Sequence, residues 1–267
     1  MAGGLNVFTE TPYSSSAAHP MNGKPTSPDS PASFDARIIA IEDVMGDTRI
    51  LRVELDQRQP FKFRAGQYAH LRLGDLPARP YSIASAPDED FIEFHIRSAG
   101  QGGLSDILTT QTRPGSSLTI EGPFGHSYWR GGARPLLALA GGLGVAPVKS
   151  ILEAHLAAAG ASPCHLYWGV RDETQLYLDR HFRALGQKHP RFSYIPVLSD
   201  AAEETPLRRG FVSAALAEDF PHLGDFDIYL AGPPPMVAAT LPALLDLGAD
   251  KERIFSDAWQ PKEGQTP

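Results

Sequence analysis

The hydrophobic period changes once along this chain, near Arg130–Arg134, and that change limits the fold to two unlike units. From Phe34 up to that point apolar and polar residues alternate. Leu51, Val53 and Leu55 oppose Arg52 and Glu54. Ala69, Leu71 and Leu73 oppose His70 and Arg72, and Ile92, Phe94 and Ile96 oppose Glu93, His95 and Arg97. A period of two means strands with one buried face. Glycines and prolines such as Gly66, Pro77, Pro87 and Gly115 punctuate these runs. The pattern predicts a small antiparallel barrel or sandwich. Beyond the glycine-rich link, Pro135–Ala140 is apolar on both faces, as in a buried parallel strand. Helical runs follow at 148–159 and 177–187, and around Ser213 and Leu241. Strands are expected at 165–170, 192–198, 227–231 and 253–257. Strands that alternate with helices predict a parallel sheet covered on both faces.

The 267 residues suffice for two cores, expected over 34–131 and 132–267. Residues 1–33 are rich in Ser, Pro and Gly and too poor in apolar residues to offset their ordering entropy, so a disordered tail is expected. A net charge of −7 argues against nucleic acid as a partner. No apolar run is long enough for a membrane span, and the N-terminus lacks the pattern of a secretory signal, so a cytoplasmic protein is expected. The single cysteine, Cys164, excludes an intrachain disulfide or a cysteine-ligated iron–sulfur cluster within these residues. The histidines show no metal-ligand spacing, and no metal is expected.

Four segments point to chemistry. Arg79-Pro80-Tyr81-Ser82 falls on an expected barrel strand, where such residues make poor core. A guanidinium can fork onto a pyrophosphate, and a tyrosine ring can stack on a flat heterocycle. An ordinary edge strand would look similar. Gly102-Gly103-Leu104-Ser105 reads as a glycine turn into a helix, with Ser105 as a possible cap. Gly141-Gly142-Leu143-Gly144, with Pro147 just beyond, lies between a buried strand and a helix, the setting of a dinucleotide phosphate loop. Ala231-Gly232-Pro233-Pro234-Pro235 follows another strand, and its prolines suggest a rigid shelf at the carboxyl end of the sheet.

Taken in this order, with Gly122-Pro-Phe-Gly125, Tyr167–Arg171 and Ile254–Trp259, these segments resemble the ferredoxin–NADP reductase superfamily from Phe34 onward. The likeness is greatest to oxygenase reductase components and NAD(P)H:flavin reductases. It implies an all-β, FAD-binding antiparallel barrel followed by an α/β nucleotide-binding domain with a parallel sheet. Arg79 and Ser105 are then expected at the FAD pyrophosphate, Tyr81 and Pro80 along the flavin, and Ser82 near its N5. Gly102, Gly103 and Leu104 are expected beside the same pyrophosphate, and His95 within reach of the cofactor. Gly141, Gly142, Gly144 and Pro147 should line the pyridine-nucleotide phosphate site, with Gly232 and Pro233 shaping the nicotinamide pocket. Phe255 and Trp259 are candidates to cover the flavin, with core packing equally open for Phe255. Ala231 stands where the family often has a cysteine, which leaves Ser82 and Asp257 as the catalytic candidates.

The implied reaction moves electrons from NADH to FAD and then to a separate [2Fe–2S] ferredoxin of an oxygenase system. Release of reduced free flavin, or a non-catalytic flavoprotein or nucleotide sensor, are the alternatives. Preference for NADH follows from Arg171, which could meet a 2′-phosphate but has Asp172 beside it and no second cation before Arg180.

Overall fold

A computed structural model describes residues 31–56, 61–201 and 204–258. Most of the expected tail and all of Trp259 lie outside these residues. The first unit comprises β1 (Ala32–Met45), β2 (Thr48–Leu55), β3 (Tyr68–Arg72), β4 (Arg79–Ser82), β5 (Ile92–Arg97), the short helix α1 (Leu104–Thr110) and β6 (Ser117–Phe124). The strands pair antiparallel in the order β4-β3-β6-β1-β2-β5. An Ile83–Phe94 bridge joins the two ends, so the sheet is a nearly closed barrel. Ile38, Leu51, Val53, Leu71, Ile83, Phe94, Ile96 and Ile120 fill it, and Leu104 and Leu108 of α1 belong to the same core.

On β5 the alternation breaks down. Glu93 and His95, expected on a polar outer face, are as buried as their apolar neighbours. The reason is that the second unit covers this strand. The segment after β4 departs from alternation in the same way: Ile83, Ala84 and Ser85 are all fully buried.

The second unit runs β7 (Leu136–Gly141), a 3-10 turn (Gly142–Gly144), α2 (Val145–Ala157), β8 (Cys164–Val170), α3 (Asp179–Lys188), β9 (Phe192–Leu198), β10 (Arg208–Arg209), α4 (Val212–Asp219), β11 (Asp227–Ala231), α5 (Pro234–Asp246) and β12 (Ile254–Phe255). All of its strands are parallel, in the order β10-β9-β8-β7-β11-β12. Every residue of β7 is buried. Its Leu136, Ala138 and Ala140 pack with Val148 and Leu152 of α2. Leu137 and Leu139 pack with Leu216 of α4 and Leu244 of α5, and burying each such leucine is worth roughly 1.5–3 kcal/mol.

Chain order reverses at β7, which lies between β8 and β11. Ligands bind open α/β sheets at the carboxyl ends of strands flanking such a reversal. Pro234 and Pro235 do not form a shelf beyond the sheet; they are the first residues of α5, where a missing N–H costs nothing. Among the described residues, no helix is long and apolar enough to cross a membrane.

Candidate functional site

Two clefts meet at the glycine turn after β7. The first, of about 430 Å³, lies between the units. The barrel contributes Gly66, Ser82 and Ser127; the α/β unit contributes Gly141–Gly144, Pro147, Gly232, Pro233 and Asp257. The second, of about 980 Å³, runs from the β1–β2 turn across the carboxyl ends of β8 and β9 to α5. Arg97, Gly141, Gly142 and Pro233 line both, so the two form one continuous groove.

Close approach of the loops after β7 and β11 explains the glycines. A Cβ on Gly144 would lie 2.2 Å from the backbone oxygen of Ala231, and one on Gly141 would lie 2.1 Å from Met236 Sδ. Gly142 differs: its φ is +52° and a Cβ there would meet nothing. Its backbone therefore stands open toward the groove, while the Trp168 ring N–H donates to its carbonyl at 2.9 Å. An unobstructed glycine turn leading into a helix fits an anionic nucleotide.

Ser82 and Asp257 share the wall of the first cleft. The Asp257 carboxylate accepts the backbone N–H groups of His126 at 2.8 Å and Ser127 at 3.0 Å. These bonds hold the C-terminal segment against the loop after β6.

Arg79, Pro80, Tyr81 and the Gly102–Ser105 segment, all on the barrel unit, do not line this cleft. Tyr81 lies within electrostatic reach of both Arg79 and Asp106. Burial raises the Tyr81 pKa, with Arg79 opposing it. Ser105 does not cap α1. That residue is inside the helix, and the cap position is Gly103. Asp106 organises the turn instead, accepting the Ser98 hydroxyl at 2.6 Å and the N–H groups of Ala99, Gly100 and Gly102 at 2.5–2.9 Å. The Ser98 bond and these backbone donors hold its carboxyl well below the usual range. The Gly102 N–H is thus taken, and its φ of +72° serves the turn. The N–H groups of Leu104 and Ser105 precede the first intrahelical bond and remain as donors for an anion.

Three candidates lie elsewhere. His95 has a fully buried ring, with Nε2 3.1 Å from Glu93 Oε1 and Nδ1 2.8 Å from the Tyr177 hydroxyl, and it lines neither cleft. Arg171 lines the second cleft, 3.4 Å from Asp200. Phe255, half-buried, stacks on Tyr229 at 5.0 Å, beneath the Arg130 guanidinium, and packs against the core of the α/β unit. Arg97 was not among the site candidates. It closes β5 at the junction of the clefts, donating to Thr48 Oγ1 at 3.2 Å. A cation ending a strand just before the Gly100–Gly103 turn was the available signal. Cys164 is buried, which pushes its thiol pKa up to about 12.

Known proteins share this arrangement. The family described as "Oxidoreductase FAD-binding domain" matches residues 35–129, and "Oxidoreductase NAD-binding domain" matches 138–241. The reductase component of a naphthalene 1,2-dioxygenase system from Pseudomonas putida is 35% identical over 225 residues, 84% of this chain and 68% of that protein. An NAD(P)H-flavin reductase from Aliivibrio fischeri is 34% identical over 234 residues, 85% of this chain and 98% of that protein. Among solved structures, a cytochrome P450 reductase from Amycolatopsis superposes with a TM-score of 0.79 at 31% identity, covering 85% of this chain and 69% of the other. The chain therefore belongs to the ferredoxin–NADP reductase superfamily and is a flavin-dependent NAD(P)H oxidoreductase that binds FAD.

Proposed function

We propose that the protein draws electrons from NADH through FAD and delivers them to a separate [2Fe–2S] ferredoxin of an oxygenase-type system. One observation carries the first half. Ser82, at the end of the arginine–tyrosine strand, faces the same cleft as the Gly141–Gly144 turn and Asp257. When bound, FAD supplies the chemistry, taking two electrons and a proton from NADH, releasing NAD⁺, and passing the electrons on singly.

The chain's own residues bind and orient. Arg79 and the N–H groups of Leu104 and Ser105 would hold the FAD pyrophosphate, with Pro80 and Tyr81 along the flavin and the Ser82 hydroxyl directed to its reacting edge. Gly141, Gly142, Gly144 and Pro147 would take the nicotinamide nucleotide, and Gly232 and Pro233 would bound its ring. Arg171 lies where the adenosine end of the groove begins. Asp257 keeps the C-terminal segment against the cleft.

The single buried cysteine supports delivery to another protein, since these residues cannot ligate a cluster. The dioxygenase reductase relatives point the same way. Release of reduced free flavin is favoured by a different fact: the matched flavin reductase is covered almost end to end. NADH-driven reduction of a [2Fe–2S] ferredoxin from the same cell, compared with reduction of free FMN, separates the two. Ferredoxin reduction that is fast at low ionic strength and slows as salt rises is the expected result. Rapid FMN reduction with no ferredoxin activity at any salt would replace the ferredoxin with free flavin.

A further inference from the structure

Where barrel and α/β unit meet, charged and polar side chains cluster around a buried centre formed by Glu93, His95 and Lys149. Lys149, one turn into α2, is buried. Its Nζ lies 3.0 Å from Glu153 Oε2 on its own helix, 3.2 Å from Glu93 Oε1 on β5 and 3.2 Å from the backbone oxygen of Ala84. The next residue, Ser150, donates its hydroxyl to the backbone oxygen of Ser85 at 2.6 Å. Consecutive side chains of one helix thus grip consecutive carbonyls of the segment that continues the flavin strand beyond Ser82. The same helix begins at the glycine turn of the nucleotide site.

Other charges complete the cluster. Arg52 Nε donates to Glu93 Oε2 at 2.8 Å, and His181 Nε2 lies 3.0 Å from Glu153 Oε1. Burial favours neutral His95 and would by itself raise the Glu93 pKa, but His95, Lys149 and Arg52 together hold Glu93 ionised. An ionised Glu93 must accept from the Nε2–H of His95. The bare Nδ1 then accepts from the Tyr177 hydroxyl, a further link between the units.

Burying such charges is a poor route to adhesion, because desolvation offsets most of the attraction and apolar contacts hold as well. Fixed donor and acceptor directions, by contrast, define one relative placement of two rigid bodies.

We infer that Lys149, with Ser150, is a positioning residue for electron transfer from NADH to the flavin: it locks the strand carrying Ser82 in register with the Gly141–Gly144 turn. The inference rests on the proposed NADH-to-FAD reaction, but its geometric part stands apart from it. The Lys149→Met variant keeps the aliphatic stem and removes the ammonium. In the full chain loaded with FAD, it should retain flavin content and bind NADH with near-normal affinity. The flavin reduction rate in stopped flow should fall on the order of 10- to 100-fold, as expected for a misplacement of about 1 Å. The NADH–flavin charge-transfer absorbance should weaken in parallel.

A readout without cofactor accompanies these. Spin labels on Asp75→Cys in the barrel and Gln187→Cys on α3, both at exposed positions, report the distance between the units, while burial shields Cys164 from the label. Lys149→Met should broaden that distance distribution. Unchanged distances with a wild-type reduction rate would overturn the inference. So would a variant that loses stability or flavin but whose loaded fraction reduces at the wild-type rate. If Lys149→Met fails to fold, Ser150→Ala, which removes one hydroxyl, is read by the same criteria. Failure of NADH to reduce the wild-type flavin would refute the proposed function, while the spin-label distances would still decide whether Lys149 sets the junction.

Discussion

Asp257 accepts the backbone N–H of Ser127 at 3.0 Å, and the two residues together close the wall of the first cleft on the side of the C-terminal segment. A neighbouring bond to His126 makes the carboxylate a two-point staple. The Asp257→Ala variant should therefore free this segment and disturb nicotinamide placement. We expect turnover to fall about 10- to 100-fold with FAD content preserved. Truncation after Lys251, which also removes β12 and the Phe255–Tyr229 stack, should affect turnover more than FAD content too. Steady-state kinetics beside flavin absorbance of both proteins provide the check, and undiminished turnover would remove the C-terminal segment from the site.

Arg79→Ala should weaken FAD binding. Loss of a hydrogen-bonded charge costs about 1.5–3 kcal/mol, or roughly 10- to 150-fold in Kd. Fluorescence titration of the apoprotein measures it directly. An unchanged Kd would move the pyrophosphate away from β4.

Preference for NADH over NADPH is the outcome we expect from the residues at the ends of β8 and β9. Among the described residues of the second cleft, the cations are Arg97 and Arg171. Arg97 is engaged by Thr48 and Asp47, while Arg171 faces Asp200 at 3.4 Å. A 2′-phosphate arriving there meets a compensated guanidinium beside a carboxylate. Asp200→Asn should release Arg171 and raise the NADPH-to-NADH ratio of kcat/KM about tenfold, the equivalent of 1.4 kcal/mol. A ratio unmoved by the substitution would place selection elsewhere.

Acid should loosen the junction. Burial sets the His95 pKa below its ordinary 6.5, so the unfolded chain takes up a proton there that the folded chain refuses. Stability then falls as pH drops through 6.5 toward the lower folded value, and His165, half-buried with its pKa lowered by desolvation, adds in the same direction. His95→Gln can keep the donor to Glu93 and the acceptor for Tyr177 without titrating. Between about pH 7 and pH 5, denaturant titrations of that variant should show a shallower loss of stability, by up to one proton. An equally steep loss would take His95 out of the acid response.

What the sequence made legible was whatever a local pattern can hold. The Gly141–Gly144 turn stood out because strand, glycines and helix are contiguous, and the barrel because its inward residues recur at every second position. Alternation along β5 distinguished two faces but not what covers them: Glu93 meets Lys149 of α2 and His95 meets Tyr177, both more than fifty residues further along the chain. For the same reason Lys149 looked like an ordinary helix residue. Arg97 and the second cleft carry no contiguous signature, because the walls come from the β1–β2 turn, two strand ends and α5, with no motif spanning them. Proline favours the first turn of a helix, as Pro234 and Pro235 do here, but three prolines in a row suggest a rigid shelf instead.

Anaerobic addition of NADH to the FAD-loaded chain, followed by flavin absorbance, tests the central claim most directly. One equivalent of NADH should bleach one equivalent of bound FAD, because each hydride carries two electrons. A flavin that stays oxidised in the presence of excess NADH and NADPH would contradict the account, whichever acceptor lies beyond it.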